Sequence, residues 1–195
     1  MKRILFVCTG NTCRSPMAEG LARQMAKERG VDLEFRSAGV SAADGQAISR
    51  HTVRILQEAG VSEELVSRRV TGESVAWAHL ILVMTQGHKR RLIELYPEAA
   101  DKIFTLKEYA DDNPENAKRM EETGRLAAEA QLKLALGERM TPEEERKLLE
   151  MQLSLPRHDI SDPFGMDYEA YRQCAEEIRE CLDKLISKLG SQRPE

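Results

Sequence analysis

Apolar positions gather in short runs that read as strands, separated by longer stretches with helical spacing. Residues 3–8 carry Ile4-Leu5-Phe6-Val7 directly behind Met-Lys-Arg, and 33–38 repeat the pattern up to Gly39. Leu80-Ile81-Leu82-Val83-Met84 is apolar without alternation, as expected of a strand covered on both faces. Residues 102–106 supply the last strand. Between these runs the spacing predicts a helix opening at Pro16 over 16–29 and stopped by Gly30, and a helix over 47–59 with Gly60 as its cap. A long amphipathic helix follows over 167–189. The order is strand, helix, strand, helix, helix, strand, helix, strand, insert, helix. Strands alternating with helices imply right-handed crossovers and a parallel sheet, here an α/β fold of four strands with helices on both faces. Ligands of such sheets bind beyond the carboxyl ends of the strands, which is where Cys8 falls.

Residues 111–157 differ in character. Asn113-Pro114 is a cap followed by a first-turn proline, predicting a helix that runs to Gly137. Thr141-Pro142-Glu143-Glu144 is a capping box opening a second helix that ends near Pro156. Met120, Leu126, Leu134, Leu148, Leu149 and Leu153 stand among many charges. The stretch reads as a helical hairpin inserted into one domain spanning 1–195. It is either a solvated hairpin without a role or a lid or protein-docking arm, since it leads directly into Asp162.

Composition narrows the function classes. At 195 residues, 41% hydrophobic and 32% charged, the chain fits one folded α/β domain. A net charge of −4 without a basic block argues against nucleic-acid binding. The first apolar run is too short for a signal peptide or a membrane span, so a cytoplasmic location with reduced thiols is expected. Four cysteines and four histidines (His51, His79, His88, His158) show no zinc-ligand spacing, so neither metal nor cofactor is expected. His88, with Lys89, Arg90 and Arg91, reads as a solvated helix face, and Trp77 as core.

The candidate chemistry lies in Cys8-Thr9-Gly10-Asn11-Thr12-Cys13-Arg14-Ser15, between the first strand and the first helix. A helix N-terminus offers unpaired N–H groups and partial positive charge, which favour an anion. The same field favours a cysteine in its nucleophilic thiolate form. Arg14 adds a planar fork able to hold two phosphoryl oxygens together. A lone cysteine closing a buried strand is usually a small hydrophobe. That reading leaves unexplained an arginine beside the positive end of a helix.

This loop, continued through Pro16-Met17-Ala18-Glu19, resembles the signature of the low-molecular-weight protein tyrosine phosphatases, and within them the protein arginine phosphatases. Arg36-Ser37-Ala38-Gly39, Val83-Met84-Thr85, Phe104-Thr105-Leu106-Lys107-Glu108-Tyr109 and Asp162-Pro163-Phe164-Gly165 resemble the family in its order. The resemblance covers 1–110 and 159–190. The family has a short loop where this chain carries its insert.

The resemblance implies a phosphorylated protein substrate and a cysteinyl-phosphate intermediate. Cys8 would attack phosphorus. The loop Thr9, Gly10, Asn11, Thr12, Cys13 with Arg14 would bind the phosphoryl oxygens, and Ser15 would donate its hydroxyl to the thiolate. Asn11 braces the loop through a left-handed backbone or, as the resemblance implies, by bonding Ser37. The family places its general acid at the Asp of a late Asp-Pro pair, here Asp162; read alone, that pair is a turn. Thr12 stands where tyrosine-directed relatives carry a branched aliphatic residue and arginine-directed ones threonine. Gly165 follows Phe164 where tyrosine-directed relatives have further aromatic residues. Both points favour phosphoarginine over phosphotyrosine. Cys13 is either a packed thiol or a redox partner of Cys8.

Two rivals remain. Thiol-dependent arsenate reductases share such a loop, but Cys174 and Cys181 lie two helical turns, about 10 Å, apart, too far to bridge. A non-catalytic phosphate-reading or adaptor module would dispense with Cys8, Arg14 or Asp162, and all three are present.

Overall fold

A computed structural model describes residues 1–191. Strands β1 (Lys2–Cys8), β2 (Leu33–Gly39), β3 (Leu80–Val83) and β4 (Ile103–Thr105) form one parallel sheet in the order β2-β1-β3-β4. Helices α1 (Arg14–Glu28), α2 (Arg50–Glu58), α3 (Gly72–Trp77), α4 (Gln86–Leu95) and α5 (Leu106–Ala110) follow the strands in chain order. A 3-10 turn spans Pro97–Lys102, and α8 (Tyr168–Gly190) closes the described chain.

The sheet explains why the apolar runs are continuous. Along β1, Ile4, Phe6 and Cys8 turn toward a core shared with Met17 and Leu21 of α1 and Ile178, Leu182 and Leu185 of α8. Leu5 and Val7 turn the other way, toward Val75, Ala78 and Leu92. Neither face meets water. Each fully buried aliphatic or phenyl side chain contributes about 1.5–3 kcal/mol. The central strand is therefore held from both sides, and the point at which Cys8 leaves the sheet is fixed with it.

Two compact units are distinguished: Met1–Ala110 together with the chain from His158 onward, and Asp111–Arg157. The second consists of α6 (Pro114–Ala135) and α7 (Pro142–Ser154), which pack on each other. Asn113 accepts the Glu115 N–H at 3.0 Å, and Thr141 and Glu144 complete a reciprocal capping box. The caps account for both helix starts. Among the described residues, no helix is long and apolar enough to cross a membrane.

Some sequence expectations shift. The first helix opens at Arg14, not Pro16, because Cys13 caps it and its carbonyl already accepts Met17 N–H at 3.2 Å. Pro16 then sits in the first turn, where its missing N–H costs nothing. The helix expected over 47–59 begins at Arg50, since Ala47 pairs with Val66 and Ser49 N–H is bonded to Thr12 O. Trp77 is half-buried rather than core, with the Arg36 guanidinium 4.1 Å from its ring centroid.

Candidate functional site

At the carboxyl end of β1 the chain turns through Thr9–Cys13 into α1. The turn depends on two local features. Asn11 has φ 52°, a left-handed conformation that asparagine tolerates better than most residues. Opposite it, Gly39 ends β2 so close that a Cβ would stand 2.5 Å from Thr9 O and 2.9 Å from Asn11 N. Any side chain at 39 would push the loop off the sheet.

The loop's carbonyls are claimed from outside. Val40 N–H bonds Cys8 O, Ser41 N–H bonds Thr9 O, and Ser49 N–H bonds Thr12 O, at 2.8–3.0 Å. Ser67 Oγ donates to Gly10 O at 2.9 Å. With the carbonyls turned outward, the N–H groups of Thr9 to Arg14 make no intramolecular hydrogen bond among the described residues. They form a nest of donors at a helix N-terminus, suited to a tetrahedral oxyanion.

Side chains beneath the loop form a directional chain of hydrogen bonds. Arg68 N–H donates to Asn11 Oδ1 at 2.8 Å, which fixes the amide with Nδ2 inward. Nδ2 then donates to Ser37 Oγ and to Ser15 Oγ, each at 2.8 Å. Ser37 Oγ donates a hydrogen bond to the buried carboxylate of Glu19 at 2.6 Å, and Glu19 is also paired with Arg23. Ser15 Oγ accepts from Asn11, and its single hydrogen has two acceptors in reach, Cys8 Sγ at 2.9 Å and, further off, the Ala38 carbonyl at 3.3 Å. A hydroxyl donating to sulfur favours the thiolate. Burial raises the Glu19 pKa, and the bonds from Ser37 and Arg23 oppose that shift. Both readings of Asn11 hold: its backbone is left-handed and its amide bonds Ser37.

Arg14 is nearly enclosed, its side chain 5% exposed, whereas the Asp162 side chain is 52% exposed. Nη2 of Arg14 meets Asp162 Oδ2 at 2.6 Å, and Nη1 donates to Ile160 O at 3.2 Å. The stretch before Asp162 is moored at several points. Ile160 N–H bonds Met84 O at 2.8 Å, Asp159 accepts Gln86 N–H at 2.7 Å, and Ser161 N–H bonds Glu177 at 3.0 Å. Beyond it, Phe164 N–H turns back to Asp162 Oδ1, and the Phe164 side chain is 75% exposed.

The structure thus brings Cys8, Thr9, Gly10, Asn11, Thr12, Cys13, Arg14 and Ser15 into one loop and Asp162 to its edge, in contact with Arg14. Cys13 is buried, its sulfur 3.1 Å from Tyr171 Oη. Burial and that contact push Tyr171 up to about 12. Cys174 and Cys181 are buried on α8 and raised by desolvation to about 12 and about 11.

His88 corrects an expectation. It is not on a solvated face but buried, between Thr9 Oγ1 at 2.8 Å and Thr85 Oγ1 at 2.9 Å. Burial, then the nearby Arg14 charge, push its pKa down to about 4. Lys89 is likewise engaged, in an ion pair with Glu108 at 2.9 Å. The available signal was Thr85, a capping residue three positions before the histidine.

Comparison with known proteins gives a consistent picture. The family model described as low molecular weight phosphotyrosine protein phosphatase matches residues 3–123. A protein-arginine-phosphatase of Geobacillus stearothermophilus is 34% identical over 191 residues, covering 98% of each chain. The low molecular weight protein-tyrosine-phosphatase PtpB of Staphylococcus haemolyticus (strain JCSC1435) is 30% identical over 183 residues, covering 94% of this chain and 96% of the relative. Among solved structures, the YwlE arginine phosphatase of Geobacillus stearothermophilus superposes with a TM-score of 0.69 over 98% of this chain and 95% of that one, at 34% identity. A cysteine-to-serine mutant of YwlE arginine phosphatase with a phosphorylated active-site serine gives 0.72 at 31% identity, over 98% and 97%.

Proposed function

The chain belongs to the low molecular weight phosphotyrosine protein phosphatase family, and from that premise we propose that it hydrolyses phosphoarginine on proteins through a phosphorylated Cys8. The observation that carries the mechanism is the Cys8 sulfur, hydrogen-bonded by Ser15, beneath a nest of unengaged amides and beside the buried guanidinium of Arg14. In the first step the Cys8 thiolate attacks phosphorus while the amides and Arg14 stabilise the equatorial oxygens. The bond from phosphorus to nitrogen breaks, and Asp162 gives its proton to the departing nitrogen. The arginine side chain leaves as a guanidinium cation. In the second step the Asp162 carboxylate takes a proton from water, whose oxygen attacks phosphorus. The S–P bond breaks, and the thiolate and inorganic phosphate are released. The phosphorylated active-site serine of the YwlE mutant is a stable counterpart of such an intermediate in that relative.

Substrate choice rests on Thr12, on the thin aromatic wall formed by exposed Phe164 and Gly165, and on arginine phosphatases aligned over almost the whole chain. The tyrosine phosphatases also align, so the test is a direct competition. Catalytic efficiency on a phosphoarginine peptide should exceed that on a phosphotyrosine peptide, and Thr12→Ile should narrow or invert the ratio about tenfold. Equal or better activity of the unmutated protein on phosphotyrosine sinks the arginine assignment.

The insert Asp111–Arg157 serves, in this reading, as an arm for protein substrates. Four residues separate the end of its second helix, Ser154, from Asp159, which opens the stretch that carries Ile160 and Asp162.

A further inference from the structure

His88 is a buried imidazole that the mechanism above does not use. Thr85 caps α4, its Oγ1 accepting the His88 backbone N–H at 3.2 Å. That hydroxyl keeps its hydrogen and one more lone pair, and the imidazole Nδ1 lies 2.9 Å away. With Thr85 as the donor, Nδ1 accepts and the neutral ring carries its hydrogen on Nε2. Nε2 faces Thr9 Oγ1 at 2.8 Å and, in that tautomer, donates to it. The depressed pKa of about 4 agrees with a ring that stays singly protonated near neutrality. Arg14, Asp162 and Asp159 are the charged groups that act on it, the first lowering and the other two raising its proton affinity.

Thr9 follows Cys8 directly and is exposed, with its hydroxyl oxygen pinned by a buried donor. The phosphoryl oxygens are already served by the loop amides and Arg14, so the pinned oxygen is surplus to phosphate binding. We propose that Thr9 Oγ1, oriented by His88 and Thr85, accepts an N–H of the guanidino group bearing the phosphoryl, and that His88 is the positioning residue making Thr9 a specificity determinant. The inference rests on the phosphoarginine reading. A phenolic leaving group has no N–H to offer, and a site built to pair with one discriminates against ligands that lack it. Without the imidazole, Thr9 rotates among its staggered rotamers and the acceptor is no longer held in place.

The experiment measures kcat/KM of the full chain on a phosphoarginine peptide and on a phosphotyrosine peptide. The phosphoarginine to phosphotyrosine ratio should fall about tenfold in Thr9→Val and by a similar factor in His88→Leu. The double variant should fall no further than either single, because both remove one interaction. His88→Gln, whose amide N–H can replace Nε2–H, should recover part of the ratio, and serves as the reading if His88→Leu does not fold. Losses equal on both substrates, or factors that multiply in the double variant, overturn the proposal and leave His88 a support for the loop. Failure of the underlying reading looks different: the unmutated protein would itself prefer phosphotyrosine.

Discussion

The two sides of the site are built differently. The loop from Cys8 to Ser15 is largely buried, Thr9 excepted, and is fixed several times over: Gly39 and Asn11 set its backbone, outside donors hold its carbonyls, and Arg68, Ser37 and Glu19 fix the polarity of the bonds below it. The stretch carrying Asp162 is moored through Asp159, Ile160 and Ser161, but past the buried Pro163 residues 164–167 are exposed. In the proposed mechanism the side that stabilises charge is in place before substrate arrives, the condition under which fixed donors are most effective. The side that delivers and retrieves a proton in that mechanism stays within reach of water, and its carboxylate is held by one guanidinium contact and one backbone N–H.

The comparison breaks most sharply at Arg14, which touches both sides. Lysine there keeps the charge but loses the fork, and with it the bond to Ile160 O and one of the two contacts to an oxyanion. Arg14→Lys should lower kcat/KM by about 10³-fold, on the scale seen when fixed charge-stabilising donors are removed. A loss under tenfold in steady-state kinetics would mean that the guanidinium geometry is not part of the cradle.

Asp162→Asn tests the other side alone. It keeps the turn and removes the proton, so a loss of about 10²-fold in kcat is expected, within the usual range for acid–base assistance. The loss should shrink on an activated aryl phosphate whose leaving group needs no proton. Equal losses on both substrates would assign Asp162 to holding Arg14.

How far the site was legible follows from the same contrast. The loop is contiguous, so eight residues in a row carried its chemistry, and the short apolar runs carried the sheet. Asp162 could be singled out only through the family resemblance, because an Asp-Pro pair by itself denotes a turn. His88 and Glu19 were opaque as parts of the site. Their significance lies in contacts to Thr9 and Ser37 that span 79 and 18 positions of sequence, and local periodicity says nothing about either. The start of α2 was misplaced for a related reason: Ala47 and Ser49 serve Val66 and Thr12 instead of continuing a helix.

His88 also links the two sides, since its ring holds Thr9 of the loop while the helix turn it belongs to, capped by Thr85, holds Asp159 through Gln86 N–H. Its titration should therefore register in the stability of the fold. The native pKa is about 4 against an unfolded value near 6.5, so between those limits the unfolded chain binds a proton that the native one does not. The contribution is complete above pH 6.5 and is lost as pH falls toward 4. It amounts to about 1–3 kcal/mol once partial access of water is allowed for. Glu19 runs the opposite way: a carboxyl with a raised pKa favours the fold at low pH and ceases to as pH rises through that range. The net curve mixes the two, so the informative quantity is the difference between the unmutated protein and His88→Gln. Urea midpoints at pH 7 and pH 4.5 should converge in the variant relative to the parent. Parallel pH curves would mean that the ring takes up its second proton at the same pH in the folded and the unfolded chain. Below that pH both ring nitrogens would donate, Nδ1 toward Thr85 and Nε2 toward Thr9.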